Sequence, residues 1–241
     1  MKHSLYFSFL LICISLHAQT NVLKANSVGD SIFSPKLTGE AFFENKQYVG
    51  GQYFMEDWVK GDILLTTGSM VYNENLKYNG LFDEVIWMNT SNYGKFKLDK
   101  SFISDFWLIP TSGDTIHFKQ INVDESTGNH PSDVFVQVEI EGKVSLYIQR
   151  RISIVSEDYM YHNDKLLYYN NIAKKPLYYI KLPTNQLTSI SRIQRRTFLK
   201  LFPEQKKMIL KLLKDHHLNL KTENDLIKVI GLMNKEVFLE K

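Results

Sequence analysis

Cysteine is nearly absent from this chain of 241 residues, where Cys13 stands alone. One cysteine excludes an intrachain disulfide and leaves no thiol cluster for a metal. Lipid attachment at Cys13 is not expected either, because Leu11 and Ile12 precede it where such a signal needs a small residue. After the N-terminal segment, no apolar run reaches the roughly 18 residues that a membrane helix requires. Also missing are the Gly-x-Ser-x-Gly elbow, the P-loop, the Gly-x-Gly-x-x-Gly turn and HExxH. The absence of these motifs removes the common local signatures of hydrolase, nucleotide and zinc-peptidase chemistry. No internal repeat, low-complexity tract or Pro/Gly/Ser-rich linker divides the chain, so its parts should form one unit or two closely docked ones.

The first residues, "MKHSLYFSFLLICISLHAQT", have the three parts of a secretory signal. Lys2 and His3 open it, Leu5 to Leu16 is an apolar run too short to span a bilayer, and Ala18 offers a small residue before a cut. Residues 1–18 are therefore expected to be removed, leaving Gln19 first and no cysteine in the mature chain. The destination is then outside the cytoplasm: periplasm, outer-membrane periphery or extracellular space. Residues 19–50 are weakly patterned and read as an extended lead-in, with "AFFENKQYVGG" offering an edge strand.

From 51 to 182 the signals are those of strands. Aromatic content is 13%, with 13 Tyr and 15 Phe, and short apolar runs are bounded by Asn, Asp, Gly and Pro. "GDILLTTGSMVYNENLKYN" predicts two strands joined at Thr67-Gly68, and "DVFVQVEIEGKVSLYIQR" a hairpin turning at Glu141-Gly142. Beyond Pro183 the period becomes helical. Ile190, Ile193, Phe198 and Leu201 predict one helix, with Pro203 opening the next. Ile209, Leu212, Leu213 and His216 mark that second helix, and Leu226, Ile230 and Met233 a third behind Thr222 and Asp225. Charge divides at the same place. Residues 19–182 carry 16 Lys+Arg against 20 Asp+Glu, and residues 183–241 carry 12 against 6. The expected fold class is α+β: an antiparallel β-rich body, sandwich or partly open barrel, followed by a short three-helix C-terminal part docked on it.

Trp58, Gly61, Ile63, Leu65 and Gly68, then Leu76 to Asn79 with Asp83 and Glu84, and a tail from Phe198 to Asn234 form a longer pattern. In these residues the chain resembles a group of exported proteins of Bacteroidota-type Gram-negative bacteria. The resemblance covers about two-thirds of the mature chain. It implies export and the order of strands before helices, and it brings no catalytic residue with it.

The candidate sites are few. Asp83-Glu84 lies between two apolar runs, but neighbouring strand residues point to opposite faces and so do not converge. Turn-forming acids explain that pair better, as they do Glu56-Asp57 and Asp62. His216-His217 at a helix end fits a cap favoured by the helix dipole, and His117, His130 and His162 stand isolated. Neither a catalytic set nor a metal or cofactor site is expected. Trp87, Trp107, Tyr161, Tyr168 and Tyr169 are the binding candidates, as a stacking platform for a small ligand or glycan. Arg192, Arg195, Arg196, Lys200, Lys206, Lys207, Lys211 and Lys214 give a basic tail. Its simplest reading is a solvated helix face, and its best partner an anionic lipid or lipopolysaccharide, since export argues against nucleic acid. Asp30-Ser31-Ile32 and Asp114-Thr115-Ile116 match a short bacterial O-glycosylation pattern.

These observations together point to a non-enzymatic cell-envelope protein that binds a protein or surface component. A small-ligand or glycan-binding β domain is the runner-up. A hydrolase with an unrecognised site stands third.

Overall fold

Alternating apolar residues and tight turns build most of this molecule as one long meander. The structure is a computed structural model that describes residues 37–44, 47–123, 132–162 and 165–238. The signal segment, Cys13, His130 and the Asp30-Ser31-Ile32 pattern lie outside the described residues. Strand β1 is Gly39–Ala41, and β2 is Tyr48–Val49, an edge strand within the stretch where one was expected. The central strands are β3 (Val59–Leu65), β4 (Met70–Asn79), β5 (Glu84–Met88), β6 (Lys95–Leu98), β7 (Ile103–Ile109), β8 (Ile116–Val123), β9 (Ser132–Ile140) and β10 (Ser145–Gln149). Two long strands follow, β11 (Ile152–His162) and β12 (Lys165–Lys174), and then β13 (Leu177–Lys181) and β14 (Leu187–Ile190).

Eleven of these strands form a single sheet in the order β1-β6-β5-β4-β3-β7-β8-β9-β10-β13-β14, with every pairing antiparallel. Hairpin β3–β4 turns at Thr67-Gly68, where Gly68 takes φ +82, a value open to glycine at little cost. One face of the sheet carries Ile63, Leu76, Tyr78, Trp87, Phe106, Phe118 and Phe135, all essentially buried. The Phe106 and Phe118 rings stack at 4.7 Å, and Tyr78 on β4 reaches Phe135 on β9 at 6.4 Å between centroids. Those two strands are four places apart in the sheet, so the sheet must curl to bring the rings together. The curl closes where Ile152 N donates to Gly80 O at 2.9 Å. At Gly80 a Cβ would collide with the Arg150 carbonyl, so this approach admits only glycine. The result is a partly open barrel, whose two edge strands β1 and β14 do not pair with each other.

The helical part covers the far end of the sheet. Helices α1 (Arg195–Lys200), α2 (Lys206–Asp215) and α3 (Glu223–Leu232) pack Phe198, Ile209, Leu212, Leu213, Leu226, Val229 and Ile230 against Leu146, Ile148, Tyr178 and Ile180. Each such side chain contributes about 1.5–3 kcal/mol when withdrawn from water. The expected box at the start of α3 is present: Thr222 accepts from Asp225 N, and the Asp225 carboxylate accepts from Thr222 N. The sequence reading is wrong at the start of this part. Ile190 belongs to β14, paired with Tyr178 of β13, and the first helix begins only at Arg195. Helical spacing yields there to the hydrogen bonds of an open sheet edge, which suit a segment rich in Thr and Ile. Pro203 lies in the turn before α2 rather than inside it.

Candidate functional site

The adjacent acids separate as expected, and each takes a structural role. Asp83 sits in the β4–β5 turn at φ +57, while Glu84 is the first residue of β5. Asp83 accepts from the Tyr78 hydroxyl at 2.6 Å and from Phe135 N at 3.2 and 3.3 Å, and it pairs with the Lys100 ammonium. It thereby ties β4, β9 and the turn before β7 together. Burial and then the neighbouring Asp83 charge push the Tyr78 hydroxyl well above its ordinary pKa. Glu84 instead faces Lys97 at 3.6 Å, and burial raises its carboxyl despite that cation. A cavity of about 660 Å³ opens beside the two acids, with Phe82, Phe102, Lys97 and Lys100 among its walls.

Other polar clusters lie on the sheet. His117 Nε2 lies 2.7 Å from Asp105 Oδ1 and stacks on Trp107 at 4.7 Å, with the rings 7° apart. Strands β7 and β8 form this pair on an open outer face. Arg150 after β10 holds three partners at once: Gln137 at 2.6 Å, Glu223 at 2.8 and 2.9 Å, and Glu139 at 3.2 Å. Glu223 also accepts from the Tyr178 hydroxyl at 3.1 Å, so Arg150 fastens the start of α3 to the sheet. Burial raises the Glu139 carboxyl, and Arg150 partly offsets the rise. Among the described residues no three acids, histidines or cysteines converge on a metal position. His216 forms the C-cap of α2. The eight basic residues of the tail are all exposed. On α2, Lys206, Lys207, Lys211 and Lys214 occupy an arc of about 140°, opposite the buried Ile209, Leu212 and Leu213. Among the described residues no helix is long and apolar enough to cross a membrane.

The aromatic candidates do not form one platform. Trp87 is fully enclosed, its indole N–H donating to buried Glu74 at 2.7 Å, so no ligand reaches it. Trp107 is half-buried under His117 on β7. Tyr161 and Tyr168, by contrast, are 75% and 67% exposed on the β11–β12 hairpin, with Tyr169 half-buried beside them.

That hairpin is the most unusual surface of the molecule. Its root is fixed: Ile152 and Ile172 are buried, and Lys175 N donates to Arg151 O at 2.8 Å. Strand β2 runs parallel to β12 only at Asn170 and Asn171. Farther out, the described residues pair with nothing but the hairpin itself. Opposed residues share a face, so Tyr159 with Tyr168 and Tyr161 with Leu166 line one side, and Met160 with Leu167 the other. All six are exposed. A solvated strand normally shows water one polar face, and this arm shows it two apolar ones. The sequence reading identified the tyrosines but missed β11 as a strand, because "ISIVSEDYMYH" lacks apolar-polar alternation. No family model, curated protein or solved structure matches the chain.

Proposed function

We propose that this chain is an exported envelope protein that acts by binding another polypeptide, and that the β11–β12 arm is its binding element. The carrying observation is the arm itself, with six exposed apolar side chains on both faces of a hairpin that, among the described residues, is anchored at its root and along β2 alone. Isolated two-stranded hairpins are marginal in water, so an arm of this kind gains from being covered. Export rests on the signal-like start and on the resemblance to exported proteins of the Bacteroidota type. A photo-crosslinking side chain at Tyr161, compared with one at Tyr93, tests the reading. Both positions are 75% exposed, but Tyr93 lies on the barrel. Crosslinks to a defined polypeptide from the envelope fraction are expected at 161 and not at 93, and equal labelling at the two positions would refute the arm as the binding element.

A second reading places a small ligand in the cavity beside Asp83, with Phe82 and Phe102 as its apolar rim at 50% and 52% exposure. Solvent-exposed phenylalanines flanking paired lysines favour it. Saturable quenching at tryptophan probes introduced at 82 and 102 by an added glycan or aromatic acid is its test, and a flat titration counts against it.

A further inference from the structure

Among the described residues no strand pairs with the outer edge of β11, and the hydrogen bonds show which residues present that edge. Asn170 N donates to Gln47 O at 2.7 Å, so the backbone groups of Asn170 point away from β11. Its opposite number, Glu157, then points away from β12, and by strand alternation so do Tyr159 and Tyr161. One of these outward amides is already engaged: Tyr159 N donates to Asp158 Oδ1 at 2.8 Å. The carboxylate acts as a plug on the edge, where free N–H groups would otherwise recruit any passing strand.

We infer that the outer edge of β11 from Ser156 to His162 accepts an extended segment of the partner polypeptide, and that a Lys or Arg of this segment draws the Asp158 carboxylate off the Tyr159 amide. This inference rests on the arm being the binding element. Glu157 lies on one face of the arm and Asp158 on the other, so the middle of the edge is acidic whichever side the incoming strand exposes. A basic residue opposite them is attracted, and its neighbours gain cross-strand contacts with Tyr159, Tyr161 and Met160. The same acids disfavour one pairing with a second copy of this chain: two β11 strands paired antiparallel about Glu157 would set the two Glu157 carboxylates directly opposite each other, and like charges directly opposite are destabilising.

The probes are two short synthetic strand peptides of alternating valine and threonine, one with a central lysine and one with a central glutamate. Binding is read by fluorescence anisotropy and by amide hydrogen exchange at Glu157, Tyr159 and Tyr161. The lysine peptide is expected to bind about tenfold more tightly than the glutamate peptide and to slow exchange at all three amides. Glu157→Lys combined with Asp158→Lys, both solvent-exposed changes, should reverse the preference. No measurable binding of the lysine peptide, no slowing at these amides, or a preference untouched by the charge reversal each overturns the edge as the docking site. Protection of the same amides by self-association without peptide overturns it as well. If the crosslink at 161 forms while the edge amides stay unprotected, the faces of the arm bind and only the edge inference falls.

Discussion

Replacing Asp83 by alanine tests whether one turn carboxylate holds the barrel closed. The Tyr78 hydroxyl loses a charge-assisted bond of about 1.5–3 kcal/mol, and the Phe135 amide is left without its acceptor at a cost of about 1–3 kcal/mol. The Lys100 pair counts for less than about 1 kcal/mol, since its side chains are 30% and 17% exposed. Alanine at φ +57 adds about 1 kcal/mol of backbone strain. These losses overlap, and the expected total is about 3–5 kcal/mol, a large share of the roughly 5–15 kcal/mol that holds a domain together. At about 2–4 °C per kcal/mol for a chain of this size, Tm should fall by about 6–20 °C. Asp83→Asn keeps an acceptor and tolerates the left-handed backbone, so it should cost only about 1–2 kcal/mol. Asp83→Gly relieves the strain and should be about 1 kcal/mol more stable than Asp83→Ala. Urea unfolding of these variants, with Tyr78→Phe completing a double-mutant cycle, measures each quantity. The reasoning fails if Asp83→Ala costs less than about 1 kcal/mol, if glycine is worse than alanine at 83, or if Tyr78→Phe and Asp83→Ala simply add.

Glu74 is 6% exposed, and its carboxyl is raised by burial, although the Trp87 N–H and Lys60 pull the other way. A raised folded-state pKa means that the contribution of Glu74 to stability is full below the ordinary carboxylate range and is lost as pH rises through the folded value. Glu74→Gln should therefore be more stable than the natural chain at neutral pH, with the gap closing as pH falls; parallel stability-pH curves would contradict this. Arg150→Lys removes the planar fork that joins Gln137, Glu139 and Glu223, at an expected cost of about 1.5–3 kcal/mol. Amides of Leu226 to Met233 should then exchange faster while those of Val85 to Met88 do not, and uniform acceleration would show that Arg150 does not hold the helices locally.

Local chemistry was legible wherever the partners were close in sequence. The Thr67-Gly68 hairpin, the Glu141-Gly142 turn and the Thr222–Asp225 box all follow from residues within a few positions of one another. Separation of Asp83 from Glu84 followed from alternation alone. What Asp83 touches did not, because Lys100 and Phe135 lie 17 and 52 positions away and only the curl of the sheet brings them near. Ile190 and Ile193 have a spacing that suits a helix, and nothing local reveals that the β13 edge is waiting for Ile190. The arm was half legible. Its tyrosines stood out by composition, but that both faces stay uncovered depends on where the neighbouring strands end. Trp87 is the counterexample, an aromatic strand residue that the fold encloses completely.

Asn234 grips the β9–β10 turn by accepting from Val144 N at 2.9 Å and donating to Val144 O at 2.8 Å. Val144 and Asn234 are 90 positions apart. A ribosome adding roughly 5–20 residues per second delivers Asn234 roughly 5–18 s after Val144. Over that interval Leu146, Ile148, Tyr178 and Ile180 emerge in turn, and the helical cover over them is complete only when Leu232 closes α3. That face of the nascent sheet stays uncovered for as long as translation of the helices takes, and a chain truncated before Arg195 would keep it uncovered.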